Sequence, residues 1–247
     1  MSTFPEKVPQ RGKLIAVAGI DGAGKSTLAA ALRTTLTNMG HETILAGKQT
    51  VDVPSDEDLS QYLDAVNAVV YRRKASVGQA CGDHYWLFAL AAWHSLQDRH
   101  IIRPALQAGI HVILDNSHHK TLARYTLSRE MTDGLAAQAF AHLSSPDVIL
   151  FLRIPSQDAL RRKRTFTPLE AGHAGPSAEH FIAYQNKVAD DLSRQASQIW
   201  ESIDVTARAP AAVLDDALTI LARRGLLTLD GYPAKAGTGS RRAERTQ

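Results

Sequence analysis

The sequence is short of almost everything that would place a chain outside a reducing compartment. Its single cysteine, Cys81 among 247 residues, rules out an intramolecular disulfide and a cysteine-based zinc site. No apolar run approaches the roughly 20 residues that a membrane span needs. The opening stretch MSTFPEKVPQ lacks the apolar core of a secretion signal. A cytoplasmic location without a membrane partner is therefore expected. Excess charge is scarce as well. The formal net charge is +3, and residues 231–247 account for all of it, with Lys235, Arg241, Arg242 and Arg245 against Glu244. The rest of the chain is formally neutral, so a nucleic-acid partner is not indicated. Together with Gly231, Gly237 and Gly239, that stretch reads as part of a flexible basic tail, 226–247.

What is present is ordinary for a folded α/β chain. Apolar residues make up 44% and charged residues 21% of the sequence, enough to bury a core in one domain of this length. An N-terminal extension over 1–12 precedes that domain, 13–225. Short apolar runs at 13–18, 42–46, 110–114, 147–154 and 202–205 predict five strands. Helical periodicity predicts helices over 25–39, 56–74, 83–108, 121–142, 156–164, 178–200 and 210–224. Residues 165–177, with Pro168, Gly172, Gly175 and Pro176, read as a loop. The alternation points to a five-stranded parallel sheet with helices on both faces, an α/β fold.

The strongest local signal is Gly19-Ile20-Asp21-Gly22-Ala23-Gly24-Lys25-Ser26, a full match to G-x-x-x-x-G-K-[ST] between a strand and a helix, which makes the expected α/β fold one of P-loop NTPase type. Glycines let the backbone curl so that successive N–H groups face phosphate oxygens, and the helix adds its positive end. Gly22, Ala23, Gly24, Lys25, Ser26 and Thr27 are thus the expected ATP-binding residues. Lys25 would reach the β- and γ-phosphates, and the Ser26 hydroxyl would ligate Mg2+. Asp115 closes the apolar run VILD at the same carboxyl edge of the sheet, where it would share the metal. The run Arg161-Arg162-Lys163-Arg164 opens a lid over about 156–177. The phosphate loop has Ala23 where an arginine could stand, so Arg162 and Arg164 are the expected cations for the transferring phosphoryl group. A GTPase is disfavoured, because Asn186-Lys187-Val188-Ala189 has alanine where the guanine-binding acid belongs.

These motifs resemble the thymidylate kinase family. GIDGAGKST (19–27) looks like its phosphate loop, including the acid at Asp21. IIRPALQAGIHVILD (101–115) resembles its helix–strand unit, PDVILFLRIPSQDALRRKR (146–164) its fourth strand and lid, and IDVTARAPAAVL (203–214) its last strand and adenine-side loop. The resemblance implies a homodimer, magnesium, and transfer of the ATP γ-phosphoryl to dTMP, with Asp21 at the acceptor. It also exposes departures. The family's D-R pair is Asp115-Asn116 here, its arginine ten residues before the I-x-P proline is His94, its thymine-recognising stretch is SHHKTLARY (117–125), and the acid closing its fourth strand is Arg153.

Arginine suits bidentate phosphate binding. A phosphorylated acceptor should therefore bind poorly unless Arg72, Arg73, Lys74, Lys120 or Arg124 substitutes. The expected small-molecule acceptor is a nucleotide or nucleoside-like compound. A phosphate-free metabolite and a non-catalytic nucleotide-binding relative remain as alternatives. Candidate acceptor residues are Asp21, Arg72, Trp86, His94, Asn116, His118 and His119. Trp86 and Trp93 share a helical face and could stack a base or simply fill the core. His118 and His119 follow Asp115 and could serve as a general base.

Overall fold

The computed structural model describes residues 11–53, 56–115, 117–172, 175 and 177–229. Asn116, most of the basic tail and most of the N-terminal extension lie outside the described residues. In chain order the elements are β1 (Leu14–Gly19), α1 (Lys25–Asn38), β2 (Thr43–Ala46), α2 (Glu57–Tyr71), α3 (Ala75–Ala80), α4 (Gly82–Gln97), α5 (Arg103–Gln107), β3 (His111–Leu114), α6 (His118–Thr126), α7 (Leu135–Phe140), β4 (Val148–Arg153), α8 (Ser156–Lys163), α9 (Ala178–Gln195), β5 (Trp200–Asp204) and α10 (Pro210–Arg223).

The five strands form one all-parallel sheet in the order β2-β3-β1-β4-β5. Every residue of β1 and the first five of β4 are buried. Strands covered on both faces need no alternation, and so they read in sequence as continuous apolar runs. Strand order reverses around β1, whose neighbours are β3 and β4. The carboxyl edge at such a reversal opens a crevice between the departing loops. A second apolar cluster joins α2, α4, α6 and α7 through Leu63, Leu87, Leu90, Trp93, Tyr125 and Phe140.

Three expectations shift, each for a local reason. The helix expected over 121–142 is two helices, α6 and α7. Between them the Ser128 hydroxyl donates to Asp83 at 2.5 Å and accepts from the Glu130 N–H, while Gly134 adopts a left-handed φ of 81° to restart the chain. The long pattern 83–108 is α4 joined to α5 through a π turn, Asp98–Ile102. Pro104 has no N–H and crowds the carbonyl four residues back, which widens the turn. The Asp98 carboxylate ties that turn down by accepting from Arg103 at 2.7 Å and from the Ser144 N–H at 3.2 Å. Helix α9 stops at Gln195, because the chain must turn for Trp200 to pair with Ile149. Helix α3 was not anticipated.

His94, His118 and His119 form a connected group of rings inside this packing. His118 stacks on His119 at 4.2 Å and on Phe140 at 5.4 Å, His94 lies 6.3 Å from His118, and His119 meets the edge of Trp200 at 5.2 Å. Burial pushes their pKa values from 6.5 down to about 3 for His94, about 4 for His118 and about 3 for His119. All three are neutral in the folded protein at neutral pH, and the unfolded chain takes up their protons first as pH falls. Their contribution to stability is therefore complete above pH 6.5 and is lost progressively towards pH 3–4. We expect the unfolding free energy to drop by about 1 kcal/mol per pH unit for each histidine in that window. Denaturant melts across the window check this, and His94→Leu should make the slope shallower.

Candidate active site

The phosphate loop leaves β1 at the strand-order reversal. Gly22 and Gly24 hold left-handed φ values of 85° and 96°, which only glycine adopts without strain. A Cβ on Gly22 would lie 2.4 Å from the Ala159 carbonyl oxygen, so the loop rests directly on the backbone of α8. A Cβ on Gly24 would meet nothing within 4 Å. The loop residues Gly22 to Thr27 line a cavity of about 700 Å³, together with Lys48, Asp115, Lys120, Arg162, Lys163, Glu170 and Arg208. Six cations thus face three acids there once Lys25 and Asp21 are included. The Lys25 ammonium donates to the Ile20 carbonyl at 2.8 Å. Burial lowers its pKa while Asp21 and Asp115 oppose that shift. Val205, Pro210 and Val213 add an apolar wall beside Arg208. A cavity of this size, with a cationic end around a phosphate loop and an apolar end, suits a nucleoside triphosphate.

Asp21 is held from two sides. Lys120, on α6, forms an ion pair with Asp21 Oδ1. Gln185, fully buried on α9, accepts from the Asp21 backbone N–H at 3.0 Å and donates to Asp21 Oδ2 at 3.2 Å. The same Gln185 amide also donates to the Glu170 carbonyl of the lid at 2.8 Å. Burial by itself would raise the Asp21 pKa, but Lys120 and Lys25 override it and hold the carboxyl well below the usual carboxylate range. Burial pushes the Lys120 ammonium the other way, down to about 7, despite the pull of Asp21.

Metal binding can be tested on the residues themselves. Asp115 Oδ1 is buried and has no hydrogen-bond partner, and it shares the cavity with Ser26. An unsatisfied carboxylate oxygen beside a hydroxyl is a donor set that fits a hard divalent cation.

The structure gathers some of the sequence-predicted residues and disperses others. Asp21, Lys25, Ser26, Asp115 and Arg162 line the one cavity. Arg162 also donates to the Val205 carbonyl. Arg164 is exposed, ends α8 with a φ of 66°, and is not part of the lining; Lys163, paired with Glu170 at 3.0 Å, is. Arg72 is a surface residue bound to Asp64 at 2.7 Å. Trp86 is buried, with its indole N–H donating to the Gly78 carbonyl, and borders a second cavity of about 110 Å³. Trp93 is core. His94, His118 and His119, expected at the acceptor, line neither cavity and pack among aromatic side chains. Helix α6 starts at His118 and turns Lys120 and Arg124 towards the cavities instead. Asn116 lies outside the described residues.

A family profile described as thymidylate kinase matches residues 17–206. The chain belongs to the thymidylate kinase family. Among relatives of this family member, the thymidylate kinase of Xanthomonas oryzae pv. oryzae (strain PXO99A) is 29% identical over 233 residues, 92% of this chain and 91% of that protein. A probable thymidylate kinase of Pyrococcus horikoshii is 28% identical over 152 residues, 62% of this chain and 70% of the relative. The solved structure of thymidylate kinase from Candida albicans shares the fold, with a TM-score of 0.59 over 87% of this chain and 93% of that one, at 18% identity. As a thymidylate kinase family member the protein is an ATP-dependent phosphotransferase with a small nucleotide acceptor. No helix among the described residues is long and apolar enough to cross a membrane.

Sequence reasoning missed Lys48, Glu170, Gln185 and Arg208. Lys120 is legible there only as one of several cations that could substitute for the missing arginines. Gln185 carries the clearest consequence. Replacing it by leucine strips Asp21 of two hydrogen bonds and the Glu170 carbonyl of one. We expect Gln185→Leu to lose about 1–3 kcal/mol of stability and to slow turnover more than it weakens ATP binding. Thermal melts and steady-state kinetics check both.

Proposed function

We propose that the protein transfers the γ-phosphoryl group of ATP to the phosphate of a nucleoside monophosphate, with dTMP as the acceptor that the names of its relatives suggest. The observation that carries this reading is the Asp21–Lys120 pair at the phosphate loop. A carboxylate held so firmly ionised is a weak base, unsuited to deprotonating a hydroxyl. A phosphate acceptor needs no such base, since its attacking oxygen already carries charge. It needs cations, and Lys120 and Lys48 supply them in the same cavity. The absence of arginine at His94 is in this way offset from α6 and from the β2 side.

The attacking phosphate oxygen approaches the γ-phosphorus in line, and the bond to the β,γ-bridging oxygen breaks to release ADP. Lys25 and the loop N–H groups hold the triphosphate, and Arg162 and Lys163 balance charge on the transferring group. Asp21 orients Lys120. Ser26 and Asp115 would hold magnesium, which when bound draws charge from the β- and γ-phosphate oxygens. The lid excludes water, which would otherwise hydrolyse ATP. A reducing cytoplasm suits the exposed free Cys81.

A homodimer fits the surface. Tyr62 and Val69 on α2 are 59% and 49% exposed, and Tyr85 and Phe88 on the adjoining α4 are 46% and 53% exposed. Seven- and three-residue spacings set each pair on one helical face. Apolar side chains gathered like this favour a self-complementary contact with a second copy. We expect Phe88→Glu to shift the protein towards monomer by light scattering.

For catalysis, ADP release should be fast with dTMP and near background with thymidine or without acceptor. Turnover with a phosphate-free compound alone would instead favour a metabolite kinase. Lys25→Ala should abolish turnover. Lys120→Gln should raise the acceptor KM by about tenfold or more, the worth of one charge-assisted contact. Because Lys120 loses its proton near pH 7, kcat/KM for the acceptor should fall on the alkaline side of that value. Lys120→Arg should remove that limb.

A further inference from the structure

The second cavity, about 110 Å³, lies between α4, α6, α9 and the lid, and the reading above leaves it unused. Arg73, Trp86, Arg124, Leu169, Gly172 and Tyr184 line it. Such a volume is well below the roughly 300–1,000 Å³ of a site for a whole small molecule, so it takes one end of a ligand. Its chemistry is cationic. The Arg73 guanidinium lies 3.8 Å over the Trp86 ring and is steadied by the Val70 carbonyl. Arg124 donates to Tyr184, yet its Nε is buried and has no hydrogen-bond partner. Among the described residues neither guanidinium is paired with a carboxylate. The one acid in the lining, Asp83, is bound by the Ser128 hydroxyl. Two guanidinium groups, Arg124 with its Nε buried and Arg73 half-buried, facing one small space favour an anion there, since a buried charge is costly unless paired.

The cavity also sits at a useful distance from the first. Lys120 lines the nucleotide cavity and Arg124 lines this one. Four residues apart on α6, they lie on one helical face about 6 Å apart along its axis. That is close to the span between the 5′ and 3′ substituents of a pentose. The lid covers both spaces, through Lys163 and Glu170 over the first and Leu169 and Gly172 over the second.

We propose that Arg73 and Arg124 form a second anion subsite, so that the preferred acceptor carries two anionic groups, one receiving the phosphoryl group at Lys120 and one held in the small cavity. A nucleoside 3′,5′-bisphosphate is the fitting class. The proposal rests on the phosphotransferase reading for the place of the first group. Its test is a binding measurement independent of turnover. Calorimetry with a non-hydrolysable ATP analogue present compares thymidine 3′,5′-bisphosphate with dTMP. We expect the bisphosphate to bind about tenfold or more tightly, the worth of a charge-assisted contact. In Arg124→Gln and Arg73→Gln the advantage should vanish, and in Arg124→Lys it should partly return, with melting temperatures reported for each variant. Equal binding of the two compounds by the unaltered protein, or an advantage that survives both glutamine variants, overturns the subsite. Loss of dTMP turnover with the bisphosphate preference intact would count against dTMP as the acceptor and leave the subsite standing.

Discussion

Asp21 is a carboxylate that stays ionised in a mostly buried position, and much of the site is arranged around satisfying it. Leaving such a charge without partners would cost several kcal/mol. Its partners come from opposite sides of the phosphate loop, Lys120 on α6 and Gln185 on α9. The loop is thereby fixed between two helices that do not belong to its own strand–helix unit. The same arrangement brings an ammonium group into the lining of the first cavity. In the proposed reading, electrostatic balance of one acid and placement of an acceptor cation are a single structural solution.

Much of the fold was legible in the sequence. Strands buried on both faces appear as unbroken apolar runs, and glycines mark where the chain leaves helices, so all five strands fell within three residues of their observed ends. The phosphate loop could be read outright, because its spacing is dictated by backbone geometry around phosphate. Side-chain destinations were harder. Starting the sixth helix at 121 in place of 118 hid the fact that Lys120 and Arg124 share a helical face, while His118 and His119 turn inward. Counting back from Pro104 to His94 crosses the π turn at Asp98–Ile102, which rotates everything before it relative to regular helical spacing. Gln185 gave no signal at all, since a buried glutamine in a helix looks like any surface glutamine until its partners are known.

The two apolar clusters divide the labour of the molecule. The cluster around the sheet holds the phosphate loop and the edge that carries Asp115. The cluster of α2, α4, α6 and α7 packs against the three histidines, which burial keeps neutral. Helix α6 contributes Ala123 to the first cluster and Tyr125 to the second and lines the first cavity with Lys120, so one short helix ties the two together. The lid spans both, tied to α9 by the Gln185 bond to Glu170.

The contact between Gly22 and the Ala159 backbone has a mechanical meaning. At 2.4 Å from a would-be Cβ there is no slack between the phosphate loop and the root of the lid helix. That part of the helix cannot shift without dislodging the loop, so any motion of the proposed lid would have to begin beyond residue 159. The first backbone that departs from regular geometry after it is Arg164, with its positive φ of 66°. Any such motion would then be set by the chain after the helix rather than by the helix itself.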